Sequence, residues 1–304
     1  MKLSTTLEML DGRCTYAEAI QMVAQAGFDA YDMNMCKIHL IDTPIASDGY
    51  RDFARHLRQV ADECGIVCNQ AHAPFPTQLN KNDVYNQKSF DMLIRSMEVA
   101  SILGAKIIVV HPIKNSSSSS AKGYTYEPFE SRKQLYDTNI RFFKELIPYC
   151  EKFGIRIAIE NMWERHPIRR DVLLPAICGY AEEQVQMIRD VGSEWIVACL
   201  DIGHTLICGE KPNDAIRTLA SHLKALHIHD SNGYEDSHAL PYSMSADWDS
   251  ILRALADVGY DGDFTFEVLA FKGYPDPLLP QAVRHMHEIG RYMVERLKGF
   301  KTKI

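Results

Sequence analysis

Six short apolar runs of this 304-residue chain end in a residue able to bind a cation or move a proton. They read Ala-His72-Ala-Pro-Phe, Val-Val-His111-Pro, Ala-Ile-Glu160-Asn, Cys-Leu-Asp201-Ile-Gly-His204-Thr, Leu-His227-Ile-His229-Asp and Phe-Thr-Phe-Glu267-Val, with Asp236-Ser-His238 in the loop after the fifth of these. A carboxylate directly after an apolar strand is costly unless its charge is compensated. Any one of them could be a helix cap or an ion pair. Several converging on one place, with histidines between them, repel one another unless a cation neutralises them, so the set points to a divalent metal. Glu160, Asp201 and Glu267 offer oxygen and His227 offers one nitrogen, which suits Mn²⁺ or Mg²⁺ and is compatible with Co²⁺ or Zn²⁺. Participation of His72, His111, His204 and His238 would make the site nitrogen-rich and favour zinc, with more than one ion. His229 is expected to face away from His227 and is left out.

These residues need a scaffold that ends many strands at one level. The chain alternates short β-rich runs with longer amphipathic segments. Strands are expected at Leu3–Leu7, Phe28–Met33, Ile66–Ala71, Lys106–Val110, Ile155–Ile159, Trp195–Leu200, Lys224–Ile228 and Asp263–Phe266. Helices are expected at Thr15–Ala26, Gly49–Cys64, Asp83–Leu103, Ser131–Phe153, 177–191, Pro212–His222, Trp248–Val258 and 277–297, several closed by a glycine in the C-cap position. Eight strand–helix units without adjacent strands argue for a parallel sheet, and eight strands close a barrel. No G-x-G-x-x-G turn follows any strand, which speaks against an open doubly wound sheet. The expectation is an α/β chain folded as one (β/α)8 barrel domain over residues 1–304, with its chemistry where strands end and βα loops begin.

Composition agrees with an ordinary soluble globular protein. Apolar residues make up 46% and charged residues 24%, and the formal charge is −7, which disfavours nucleic acid as a partner. The eight cysteines form no C-x-x-C pair and read as thiols in a reducing compartment. Glu8 and Asp11 stand where a signal peptide would need apolar residues, and no apolar run is long enough to span a membrane, so a cytoplasmic protein is expected. Asn115 and the run Ser116–Ser120 are expected to form a mobile loop after strand four. The Arg165–Arg170 stretch, with His166, Arg169 and Arg170, reads as a solvated loop or a subunit contact, and homo-oligomerisation is left open. Trp195, Phe264 and Phe266 are assigned to the core. Trp248 either lines the pocket floor or starts a helix.

The order of the motifs resembles the xylose isomerase-like TIM barrel superfamily, which includes sugar isomerases and epimerases, inosose dehydratase and endonuclease IV. The resemblance runs from His72 to Glu267 and is most specific at Ala-Ile-Glu160-Asn, Leu-Asp201-Ile-Gly-His204, His227-Ile-His229-Asp230 and the loop from Asp230 to Pro241. It implies that Glu160, Asp201, His227 and Glu267 hold a divalent metal and that Glu160 and Glu267 double as an acid/base pair. It also implies that His72, His111, His204, Asp236 and His238 contact a small sugar or polyol. Two departures stand out. No Arg or Lys lies between His227 and Arg253, where ketose 3-epimerases carry a substrate-gripping arginine, and Pro241-Tyr-Ser-Met-Ser replaces a Pro-Gly-x-Gly stretch.

The chemistry implied is proton transfer through an enediolate, giving sugar epimerisation or isomerisation, with dehydration of a keto-polyol on the same site as the alternative. A rival of another class is an endonuclease IV-like metal-dependent phosphodiesterase. His72, His111, Glu160, Asp201, His204, His227, Asp236, His238 and Glu267 match its nine ligand positions, while His229 and Asn232 replace the Asn and Lys of its Leu-Asn-Asp-Ser-Lys stretch. A barrel that binds metal and polyol without turnover is the third reading, and the presence of both glutamates argues against it.

Overall fold

The computed structural model describes residues 1–39, 42–75, 77, 83–114, 118–120, 123–125, 131–165, 171–174 and 176–302. Eight parallel strands form one sheet: β1 (Leu3–Thr6), β2 (Ala30–Asn34), β3 (Val67–His72), β4 (Ile107–Val110), β5 (Arg156–Glu160), β6 (Ile196–Asp201), β7 (Leu223–His227) and β8 (Phe264–Phe266). Neighbours in sequence are neighbours in the sheet, and β8 returns to β1 with Leu3 opposite Phe264. Between β7 and β8 the Ile228 amide donates to the Thr265 carbonyl (2.9 Å) and the Glu267 amide to that of Ile228 (3.0 Å), which closes the barrel.

Helices α1 (Tyr16–Ala26), α2 (Tyr50–Cys64), α3 (Asp83–Leu103), α4 (Arg132–Phe153) and α5 (Ala181–Val191) follow β1 to β5 in turn. A short α6 (Ile202–Ile207) and then α7 (Pro212–Leu219) follow β6, α8 (Trp248–Asp257) follows β7 and α9 (Leu279–Lys301) follows β8. Local chemistry sets the starts. Thr15 and Glu18 form a reciprocal capping box on α1, and Ser131 caps α4. The main core lies between sheet and helices, where Phe264, Phe266 and Leu3 are fully buried, as expected of the two phenylalanines. Trp195 is only partly buried against that core. A small second cluster of Val109, Ala158, Val197, Cys199 and Ala225 fills one side of the barrel lumen.

Several expectations shift. The sequence reading missed α6, because its cap is Asp201 itself, whose Oδ1 accepts the His204 amide (2.6 Å). The last helix runs on to Lys301, and α7 stops at Leu219 before a 3-10 turn. Ser118–Ser120 pairs antiparallel with Gly123–Thr125 rather than forming a featureless loop, since backbone pairing needs nothing from the serine side chains. Residues 115–117, His166, Arg169 and Arg170 lie outside the described residues. No described helix is long and apolar enough to cross a membrane, and all eight cysteines are unpaired.

Helix α9 seals the seam between β1 and β8 through Gly290, where a Cβ would lie 2.6 Å from Leu3 Cδ1 and 2.9 Å from Phe266 Cε2. Gly290→Ala gains ~1 kcal/mol of helix propensity but overpacks this contact by about 1–3 kcal/mol. The expected outcome is a lower denaturant midpoint; an unchanged or raised midpoint would show that the seam has slack.

Candidate metal centre

The strand ends deliver the chemistry. His72, Glu160, Asp201 and His227 are the last residues of β3, β5, β6 and β7, and His111 and Glu267 follow β4 and β8 directly. All six are buried. Asp236 and His238 reach the site on the loop after β7, which is organised around buried Asp230. That carboxylate accepts from the amides of Ser231 (2.9 Å), Ala246 (3.0 Å) and Met244 (3.1 Å) and from the Trp248 indole (3.1 Å). Trp248 therefore starts α8 and ties down this loop. His238 has φ +41°, a left-handed conformation costly for a non-glycine residue, and its Nδ1 donates to the Glu267 carbonyl (3.0 Å).

The donor atoms fall into overlapping groups, each within 4.8 Å: Glu160, Asp201, His227 and Glu267; His72, His111 and Glu160; His72, His227 and Glu267; His229, Asp236 and His238. The first is the quartet the sequence points to. His227 Nδ1 lies 2.9 Å from Glu160 Oε1 and 3.3 Å from Glu267 Oε2. His111 Nε2 is 2.5 Å from Glu160 Oε2, and His72 Nε2 is 3.5 Å from the same oxygen. His204 Nε2 faces Asp236 Oδ2 at 3.3 Å, and His238 Nε2 faces Asp236 Oδ1 at the same distance. All nine residues singled out from the sequence meet at one mouth.

His229 corrects the sequence reading. Side chains alternate along a strand, so residues i and i+2 share a face, and His229 belongs on the side of His227. Its Nε2 lies 3.0 Å and 3.1 Å from the two Asp201 oxygens, and its ring stacks on His238 with centroids 4.3 Å apart. Gly203 makes room, since a Cβ there would fall 2.0 Å from His229 Cε1. Asn161 was also missed. It accepts the Asp201 amide (2.7 Å) and donates to the Asp201 carbonyl (3.0 Å), locking the end of β6. Its place directly after Glu160 was the only hint.

The histidines are oriented for cation binding. Nδ1 of His72, His204 and His238 donates to the carbonyls of Ala73 (2.8 Å), Asn161 (2.9 Å) and Glu267 (3.0 Å), which turns each Nε2 into the mouth. For His204 and His238, that Nε2 faces a carboxylate, an arrangement stable only with a proton or a metal between them. Without metal, protons fill the gap. Burial opposes charge on His204, but Asp201 and Asp236 outweigh it and push it up to about 10. His238 also rises to about 10 against burial, through its hydrogen bond to Asp236 and the charge of Glu267. Burial raises Glu267 to about 7, although His227 and His238 oppose it. Glu160 is held well below the carboxylate range, because His227 and His111 outweigh its burial. Burial drives His111 down to about 4 despite Glu160.

At the rim, Lys114 Nζ donates to the Trp163 carbonyl (3.3 Å) and sits over the Phe75 and Trp163 rings. Arg165 stacks on Tyr234 and donates to its carbonyl, while Lys272 turns away to pair with Glu8.

The quartet fits a divalent ion by burial, donor type and proximity. Since His227 is held well above its usual value and Glu267 lies near 7, a metal entering at pH 7 must displace protons. Titrating metal into the metal-free protein in buffers of different ionisation enthalpy should show proton release, with affinity weakening as pH falls below 7. Binding without proton release would mean that the ion sits elsewhere.

The comparisons agree with this fold. A family profile described as xylose isomerase-like TIM barrel matches residues 20–289. An uncharacterised protein of Methanocaldococcus jannaschii is 25% identical over 258 residues, covering 82% of this chain and 78% of the relative. The D-psicose 3-epimerase of Ruminiclostridium cellulolyticum is 25% identical over 261 residues, covering 83% and 78%. The crystal structure of a D-tagatose 3-epimerase-like protein superposes with a TM-score of 0.74 at 20% identity, covering 98% of this chain and 99% of that one. The chain belongs to the xylose isomerase-like TIM barrel family.

Proposed function

We propose that this protein is a divalent-metal-dependent sugar isomerase or epimerase, acting on a keto-sugar or polyol by proton transfer through an enediolate. The observation that carries the reading is the pair Glu160 and Glu267. Both are buried, one at the end of β5 and one directly after β8, and both lie against His227 Nδ1, so two carboxyls reach one cation site from different strands. A pair of this kind can serve as base and acid in turn. Relatives named as sugar 3-epimerases support the same class.

A cation held by Glu160, Asp201, His227 and Glu267 would polarise an adjacent carbonyl and hydroxyl of the substrate. Glu160 is the base that takes the acidified C–H proton, and Glu267 returns one. Return to the same carbon epimerises it, and return to the neighbouring carbon isomerises the sugar. Expulsion of a β-hydroxyl would give the dehydratase alternative. His72, His111, His204, Asp236 and His238 ring the ligand set and would bind the remaining hydroxyls. The described loop from Asp230 to Ser245 carries no Arg or Lys, so sugar recognition would rest on these groups and on Lys114 at the rim. Mn²⁺ or Mg²⁺ suits the carboxylate-rich quartet. We take the whole chain as one catalytic unit working in a reducing cytoplasm, in line with its unpaired cysteines.

Incubating metal-loaded enzyme with ketoses, keto-sugars and inososes in D₂O should exchange one C–H for C–D, followed by NMR. Glu160→Gln should cut the exchange rate by about 10²–10⁴-fold. Turnover with full retention of the substrate hydrogen would sink the enediolate.

One observation favours a second reading. The donor groups around His72 and His111, and around Asp236 and His238, could hold further ions beside the quartet, as a metal-dependent phosphodiesterase would need. The formal charge of −7 opposes a DNA substrate. Cleavage of an abasic-site duplex by protein carrying three zinc ions, lost in Asp236→Ala, would establish this reading; a single bound ion and an intact duplex would eliminate it.

A further inference from the structure

We propose that Asp32 is the positioning residue for His227: its buried carboxylate, at the end of a hydrogen-bond chain through the barrel lumen, accepts a hydrogen bond from Nε2–H of His227 and leaves Nδ1 to face the cation. The inference rests on the reading of His227 as a metal ligand.

The lumen is divided. Small apolar side chains of β4 to β7 fill one side. On the other, β1, β2, β3 and β8 contribute Ser4, Asp32, Asn69, Gln70 and Thr265. Asn69 and Gln70 are consecutive, which strand alternation would normally send to opposite faces. An irregularity in the β2–β3 register permits it: Tyr31 pairs with Cys68, but Asp32 pairs with Gln70, so Asn69 is the extra residue of a bulge.

The hydrogen bonds run in one direction. Ser4 Oγ donates to Asn69 Oδ1 (2.7 Å), Asn69 Nδ2 to Thr265 Oγ1 (3.1 Å), Thr265 Oγ1 to Gln70 Oε1 (3.3 Å) and Gln70 Nε2 to Asp32 Oδ2 (2.8 Å). Every donor points toward Asp32. A chain aligned in this way stabilises negative charge at its end.

At that end two buried groups are left open. Among the described residues, Asp32 Oδ1 and His227 Nε2 have no hydrogen-bond partner, and Nε2 lies 3.5 Å from Asp32 Oδ2. Oδ2 already accepts from Gln70 Nε2 at the end of the donor row, so the geometry assigns Asp32 the part of acceptor toward His227. A lone pair on Nε2 would face that carboxylate repulsively, so Nε2 carries the proton. His227 Nδ1 is then the nitrogen turned to Glu160 and Glu267. Partners of this kind orient metal-binding imidazoles and strengthen them as ligands.

The test uses Zn²⁺, which is diamagnetic, with wild type, Asp32→Asn and Gln70→Met. Long-range ¹H–¹⁵N NMR of the zinc-loaded protein should show His227 protonated at Nε2 and metal-bound at Nδ1. Chelator competition should show Asp32→Asn binding Zn²⁺ about 10–100-fold more weakly, with Gln70→Met weakened less and in the same direction. If Asp32→Asn does not fold, Gln70→Met carries the test. Wild type binding Zn²⁺ at His227 with equal affinity in the folded variants, or through Nε2, overturns this inference alone. Wild type taking up no ion at His227 overturns the metal reading, and this inference with it.

Discussion

Glu160, Asp201 and Glu267 are brought together by strands that end at one level of the barrel, and the loop after β7 lowers Asp236 beside them. Each ion taken out of water costs several kcal/mol even after the protein relaxes around it, and like charges at these separations add to that cost. The mouth of this barrel can exist only if positive charge is brought in with the carboxylates. In the metal-free protein the imidazoles supply it, and His72, His204, His227 and His238 are all held above their usual range. A divalent ion held by the quartet would do the same with two charges at one point, and would displace the proton of His227.

The rest of the structure follows from keeping these groups in register. Asn161 clamps the backbone at Asp201, and the Asp201 side chain caps the short helix that carries His204. Asp230 collects four donors to fold the loop that presents Asp236 and His238, and that loop leaves His238 in a strained backbone conformation. Strain at His238 is tolerated because its surroundings over-determine it, through the carbonyl of Glu267 and the ring of His229. Even the lumen contributes, since one side is left polar beneath the site.

Much of this was legible in the sequence, for a physical reason. Glu160, Asp201 and Glu267 each end an apolar run, and a charge in that position stands out because it is expensive. Eight such runs, separated by helices with marked ends, leave few topologies other than the closed barrel. Other features were not legible. Asn161 and Asp230 look like ordinary polar loop residues until their backbone partners are known. Asp32 alternates with the apolar Tyr31 and Met33, but the side chains that lead to it include Asn69, which only a bulge in β3 brings to the side of Gln70. His229 is a different case. The alternation rule already placed it beside His227, and the expectation that it faced away misapplied that rule.

The central claim is that the four side chains Glu160, Asp201, His227 and Glu267 were brought together to hold one divalent ion. Crystals of the protein soaked in Mn²⁺, with diffraction recorded on both sides of the manganese absorption edge, test it directly. An anomalous peak within bonding distance of all four side chains is the predicted result. A mouth without such a peak at saturating Mn²⁺, with the histidines still paired to the carboxylates, would contradict the account.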